Sequence, residues 1–384
     1  MIFEKLMDKK NKVVYRPMDT TFLIIVLILV TTGLIMMFSA SYANAYYLKN
    51  GNSTFYISRQ IVAVLVGFIA MGVASMVDHR IYRGVAILFY PVTLALLAAA
   101  LFMPPLNGAR RWIFIGPINF QPSEIAKFEI VILFALLICI NFQKMRTFTY
   151  GIAPFAALMA PILILMKFEP HLSGMILIFM IGVIMMFIGG THPGWYIAGV
   201  IAIIAAGVAV VADPNLLDIF TEYAGTRIKV WRDPTIDPQG KGFQTLQSLY
   251  AIASGGLMGT GIGGSRQKYL YLPEPYNDFI FAIICEELGF VGATLIICLF
   301  ALLIWRGFVI AVRCPDRFGS LVAAGLTTQV GLQTLLNIAV VTNTLPNTGI
   351  SLPFFSYGGT SLVLLMGEMG IILAISRVAS IEKN

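Results

Sequence analysis

Long apolar blocks separated by short polar loops fill most of the chain, and ten of them approach the ~20 residues that a helix needs to cross a ~30 Å hydrocarbon core. They predict membrane spans over residues 20–41, 59–77, 81–103, 122–141, 150–167, 171–189, 193–212, 278–305, 318–342 and 352–375. The expected fold is an all-α polytopic membrane protein of about ten transmembrane helices, with one large extracytoplasmic loop between spans 7 and 8. Residues 1–19 read as a cytoplasmic N-terminal segment, 20–376 as the ten-helix domain including the loop 213–277, and 377–384 as a cytoplasmic tail. Pro91, Pro154 and Pro161 lie inside spans and predict kinks there. Within the long loop, Leu246, Leu249, Tyr250 and Ala253 recur at helical spacing, as do Leu216, Phe220 and Tyr223, so two short interfacial helices are expected.

Composition agrees: 58% of the 384 residues are hydrophobic and 12% charged. The first apolar run, Thr21 to Ser39, is longer than the ~7–15 residues of a signal-peptide core and reads as a retained span. A net charge of +7 raises the question of nucleic acid, but the basic residues are scattered through short loops and form no stripe, so no nucleic-acid partner is expected. Fourteen of the 26 lysines and arginines fall on one side if the N-terminus is cytoplasmic, whereas the short loops opposite keep Lys49, Arg59, Arg110, Arg111 and Lys167. Both termini are therefore expected on the cytoplasmic side, with the long loop outside. Cys139, Cys285, Cys298 and Cys314 show no paired spacing and read as packed thiols.

Candidate chemistry gathers at the end of the long loop. Gly259-Thr-Gly261-Ile-Gly263-Gly264 matches a dinucleotide fingerprint, yet no strand and helix flank it, and its glycines read as tight turns or close backbone approaches. Farther on, Pro273-Glu274-Pro275-Tyr276-Asn277 delivers Asp278 to the mouth of span 8. Two readings stand for Asp278: the N-cap of that helix, or a general base whose pKa is raised at a partly dry interface and which takes a proton from a sugar hydroxyl. Glu274 is a spare carboxylate, and Glu286 and Glu287 lie ~12 Å deeper along the helix. Span 4 opens with Gln121-Pro-Ser-Glu124-Ile-Ala-Lys127, where Glu124 and Lys127 can pair across one turn or present a carboxylate and a cation to a ligand. Arg110, Arg111, Arg266 and Lys268 could together hold a diphosphate, since guanidinium forks match phosphate oxygens, whereas each taken singly reads better as an ordinary interfacial charge. Gln329, Gln333 and Asn337 form a polar stripe on span 9, best read as interhelical hydrogen bonding. His79, His171 and His192 are far apart and suggest no metal site.

The segment Leu352-Pro-Phe-Phe-Ser-Tyr-Gly-Gly-Thr-Ser361, preceded by Asn347-Thr-Gly349, resembles the C-terminal signature of the SEDS family (shape, elongation, division and sporulation), which includes FtsW, RodA and SpoVE. The resemblance extends through Gln121-Pro-Ser-Glu124-x-x-Lys127, Gly242-Phe-Gln244 with Gln247-Ser248, Gly255-Gly-Leu257, Pro273-Glu-x-x-x-Asp278-Phe-Ile-Phe and Glu286-Glu-x-Gly289, and so covers nearly the whole chain. Glu169-Pro-His171-Leu-Ser173 resembles the FtsW and SpoVE variants of Gram-positive bacteria more than RodA. No role is carried to His171, which departs from the acidic RodA pattern. The resemblance implies a peptidoglycan glycosyltransferase that polymerises lipid II into β-1,4-linked glycan at the outer face of the bacterial cytoplasmic membrane, for division septum or spore cortex. Its catalytic aspartate matches Asp278; Arg110, Glu124, Lys127, Gln244, Ser248, Arg266, Lys268, Glu274 and Glu286 are the candidate substrate-binding residues. Implied partners are the growing glycan on undecaprenyl diphosphate, a class B penicillin-binding protein and other division or sporulation membrane proteins. No cofactor is firmly expected, although a divalent cation could share the leaving-group charge. A lipid II flippase and a scaffold for the penicillin-binding protein are the alternative functions.

Overall fold

The computed structural model describes residues 17–105, 109–116, 118–199, 201, 205, 230–240 and 242–379. Ten of its helices carry the argument: α1 (Thr20–Leu48), α2 (Phe55–Met76), α3 (Arg80–Ala100), α4 (Pro122–Asn141), α5 (Ala153–Phe168), α6 (Leu172–Ile188), α7 (Phe243–Gly255), α8 (Ile280–Arg313), α9 (Arg317–Val341) and α10 (Gly359–Ser376). Among the described residues eight helical stretches are long and apolar enough to cross a membrane, and α6 is a shorter apolar helix beside them. The chain is thus an all-α polytopic membrane protein. Span 193–212 of the sequence reading, and the loop helix expected around Leu216, Phe220 and Tyr223, lie mostly or wholly outside the described residues.

Two corrections concern element ends. The last span begins at Gly359 and not at residue 352, because Leu352–Gly358 is drawn into a loop by side-chain and backbone bonds to the α7–α8 connection. Pro154 sits in the first turn of α5, where its missing N–H costs nothing, whereas Pro91 and Pro161 are within helices. A third feature escaped the pattern: residues Ile113–Ile115 and Ile118–Phe120 form an antiparallel hairpin, β1 and β2, turning at Gly116 with φ 60°. Three-residue strands are too short to show a period of two.

Helix α9 is the most enclosed of the eight, with 78% of its most apolar stretch buried, and it packs against α4, α6, α8 and α10. Helix α8 is continuous in name only. At Gly289 the backbone takes φ 67°, ψ −170°, a region open essentially to glycine alone, which separates a short first half from the remainder. The glycine-rich loop after α7 fills the break. Thr260 and Gly261 donate their N–H groups to the carbonyls of Glu286 and Glu287, while Phe290 and Val291 donate to Gly256 and Leu257. A Cβ on Gly259 would stand 2.2 Å from the Glu287 oxygen and one on Gly264 2.5 Å from that of Thr260, so these two glycines serve close backbone approach. The loop and α7 therefore descend beside the first half of α8, and the residue that heads this half-helix is held from below.

Candidate active site

Asp278 lies two residues before α8 begins, and the helix N-cap is Phe279 with no side-chain cap bond. The N-cap reading of Asp278 is therefore overturned: its carboxylate is free of that duty because the helix starts later than the apolar pattern suggested. The side chain is half-buried at the junction of the proline-rich approach and the loop 347–358. Burial and the nearby Glu274 charge raise its pKa to about 6, against a lowering by the Arg111 guanidinium. Glu274 itself is exposed, has φ 46° and accepts from the Asn277 side chain at 2.9 Å.

The loop 347–358 closes over this carboxylate. Gly349, at φ 73°, lies so near that a Cβ would be 3.1 Å from Asp278 Oδ2. Asn337 of α9 donates from Nδ2 to the carbonyl of Asp278 at 2.8 Å and to that of Ile350 at 2.6 Å. Ser356 donates to the Asn277 carbonyl at 2.7 Å, and Tyr357 N–H to that of Tyr276 at 2.8 Å. Tyr276 in turn donates to Tyr56 at 3.0 Å, tying the proline-rich approach to α2. Gln244 bridges the two sides, donating to the Pro273 carbonyl at 3.3 Å and accepting from Asn347 at 3.2 Å.

Cations stand on the same side. Arg111, just ahead of β1, donates to the carbonyls of Glu169 and Pro170. Its charge acts on Asp278, Glu169 and His171 together. Lys127 is buried, 2.9 Å from Glu124, and donates to Gln333 at 3.2 Å. Glu169 is fully buried with neither carboxylate oxygen hydrogen-bonded, and burial, partly offset by Arg111, raises its pKa to about 8. His171 beside it is kept neutral, its pKa lowered to about 3 by burial and then by Arg111 and Lys127. Arg110 is exposed and donates to the Leu101 carbonyl at 3.0 Å.

The remaining candidates belong to a second cluster, at the break in α8. Lys268 is buried against Glu287 at 2.9 Å and also donates to Ser39 of α1 at 3.2 Å. Glu286 accepts from the Ser265 hydroxyl at 2.5 Å and from the Arg266 N–H at 2.9 Å. Arg266 keeps its side chain exposed. Ser248 is buried and donates to the Val341 carbonyl at 2.8 Å, fastening α7 to the end of α9. The structure thus assembles Asp278, Glu274, Gln244, Glu124 and Lys127 with Arg111, and places Glu286, Lys268 and Ser248 in the scaffold beneath. Among the described residues no group of three or more His, Cys, Asp or Glu could hold a metal ion.

Sequence reasoning set Asn337, Gln333 and Gly349 aside from the site. Their signal was present, as a polar stripe on the most buried span and as a glycine beside the signature loop, but neither names its partner.

A profile of the cell cycle protein family of FtsW, RodA and SpoVE matches residues 19–381. Stage V sporulation protein E of Bacillus subtilis is 38% identical over 365 residues, covering 94% of this chain and 97% of that protein. The probable peptidoglycan glycosyltransferase FtsW of Geobacter sulfurreducens is 35% identical over 364 residues, covering 93% and 95%. A chain solved within a peptidoglycan synthase complex, described as coordinating polymerization and crosslinking, superposes with a TM-score of 0.75 at 28% identity, covering 95% of this chain and 99% of that one.

Proposed function

The chain belongs to the FtsW, RodA and SpoVE family of cell cycle proteins, and from that premise we propose that it is a peptidoglycan glycosyltransferase that polymerises lipid II at the outer face of the bacterial cytoplasmic membrane. The observation that carries this reading is Asp278: a half-buried carboxylate with a pKa near 6, at the aqueous end of a span, beneath a loop whose Gly349 lies directly against it. Such a group is ionised at neutral pH and still basic enough to accept a proton in the transition state.

Asp278 takes the proton of the 4-hydroxyl of an acceptor sugar. The oxygen attacks the anomeric carbon of the donor, the bond to undecaprenyl diphosphate breaks with inversion, and a β-1,4 linkage forms. Arg111 and Lys127 stabilise the charge that gathers on the diphosphate, with exposed Arg110 at the rim. Glu124 holds Lys127 in place, and Glu274 and Gln244 border the acceptor side. A class B penicillin-binding protein is the partner proposed for cross-linking, a reading supported by the structural neighbour that comes from a synthase complex. The product serves the division septum or the spore cortex, and both termini face the cytoplasm.

The test is polymerisation of labelled lipid II by the purified protein with its cognate penicillin-binding protein. Wild type should make long glycans, and Asp278→Asn should lose at least about 100-fold in rate while keeping its partner. No polymer from a folded wild-type complex would favour lipid transport or scaffolding, and polymer from both would remove Asp278 from the centre.

A further inference from the structure

The polar stripe of α9 bonds to neighbouring helices, as expected, and does more than that. Gln329, Gln333 and Asn337 succeed one another by four residues, about 6 Å along the axis for each step. Gln329 donates to Glu368 of α10 at 2.8 Å and Gln333 accepts from Lys127 of α4, both ordinary interhelical bonds. Asn337 instead gives both bonds of its amide nitrogen to backbone carbonyls, those of Asp278 and Ile350. Carbonyls can only accept, so the orientation of this buried amide is dictated by its partners. One turn earlier, Gln333 accepts from Lys127 through Oε1 and donates through Nε2 to the Ser351 carbonyl at 3.1 Å and hydroxyl at 3.2 Å. Two adjacent turns of one enclosed helix therefore hold the aspartate, the loop segment Gly349–Ser351 lying against it, and the lysine.

We propose that Asn337 and Gln333 are positioning residues that register the base Asp278 and the cation Lys127 against a single helix, fixing the span between the proton-accepting and charge-stabilising ends of the reaction. This rests on the glycosyltransferase reading above. Displacement at a sugar carbon needs the activated oxygen and the departing diphosphate on opposite sides of it, and displacements near 1 Å in such arrangements cost about 100-fold. Asn337 sets the base end through the main chain of Asp278 itself. Gln333 sets the cation end and shares the loop, so a shift at one end is passed to the other. Lys127 of α4, paired with Glu124, and Glu368 of α10 face the same stripe at Gln333 and Gln329, while the charges acting on Asp278 are Glu274 in its own proline-rich approach and Arg111 ahead of β1.

The experiment compares wild type, Asn337→Ala, Gln333→Met and Asp278→Asn as full-length complexes. It records kcat and KM for lipid II, the pH dependence of kcat, thermal unfolding, and partner binding. For Asn337→Ala we expect a fall in kcat of about 10- to 100-fold with KM changed less than about threefold, and a displaced acid limb in the folded enzyme, because Asp278 moves relative to Glu274 and Arg111. Gln333→Met should lower kcat similarly with the acid limb in place. A folded Asn337→Ala enzyme with wild-type kcat and acid limb would overturn the proposal. If Asn337→Ala does not fold, an unchanged kcat in Gln333→Met overturns it. Failure of the glycosyltransferase reading would look different, as no polymer from wild type; full activity in Asp278→Asn would keep the enzyme and overturn the positioning proposal by removing its base.

Discussion

The Asp278 carboxyl ionises near pH 6 because burial and the Glu274 charge together outweigh the pull of Arg111. A neighbouring negative charge disfavours the ionised form, so removing it must lower the pKa, and removing a positive one must raise it. The polymerisation rate should therefore rise with pH through a limb near 6. Glu274→Gln should move that limb to lower pH and Arg111→Gln to higher pH, read from kcat profiles of the folded variants. Gly349→Ala tests the fit on the other side: at φ 73° an alanine costs about 1–2 kcal/mol of backbone strain, and its methyl would press on Asp278 Oδ2. The expected result is a folded protein with a rate at least about tenfold lower. At this scale the sequence pointed to Asp278 through its proline-rich approach and its place at the end of an apolar run. It could not show that helix α8 begins at Ile280, two residues later. Nor could it show that Lys268 is turned inward to Glu287, because an ion pair nineteen residues apart follows from how a loop folds back and not from local spacing.

The element on which the site depends is the short first half of α8. Its lower end would expose unpaired carbonyls at Glu286 and Glu287 within the membrane, where each such group is costly. The glycine-rich loop supplies the N–H partners, and the Lys268–Glu287–Ser39 cluster fastens that loop to α1. A Cβ at Gly289 would meet the Gly259 nitrogen at 2.3 Å and the Leu257 oxygen at 2.6 Å, both backbone atoms that cannot move away. Gly289→Ala should destabilise the protein by more than about 2 kcal/mol, visible as a lowered unfolding temperature in detergent. Glu287→Gln leaves the buried Lys268 ammonium without its counter-charge and should cost about 3–5 kcal/mol. Pairing it with Lys268→Met should recover much of that loss, whereas a pair without mutual dependence would give additive effects. The glycine run was legible as a place of tight approach; its target was not, since a break inside an apolar helix leaves the hydropathy of the helix unchanged.

Across the whole molecule, hydropathy revealed the spans but not which faces meet, because lipid is as apolar as a protein core and membrane helices need no polar stripe to mark their outer side. Orientation, by contrast, is written in charge, and the structure supplies the geometry to test it. Tyr56 near the start of α2 bonds to Tyr276, so the α1–α2 turn lies at the Asp278 end. Helix α4 starts beside that end, where its Lys127 meets Gln333, and over the 23 residues Pro122–Lys144 it carries the chain about 30 Å away, to Gln143 and Lys144. Lys49 and Gln143, both exposed, therefore report opposite faces of the membrane. A membrane-impermeant maleimide applied to intact cells should label Lys49→Cys and leave Gln143→Cys untouched until the membrane is opened. The background from native thiols is small, since Cys285 and Cys314 are buried, Cys139 is partly so, and exposed Cys298 lies mid-span on α8. Labelling in the reverse order would put Asp278 in the cytoplasm, on the wrong side for building an external polymer, and would end the glycosyltransferase reading whatever the chemistry of its carboxylate.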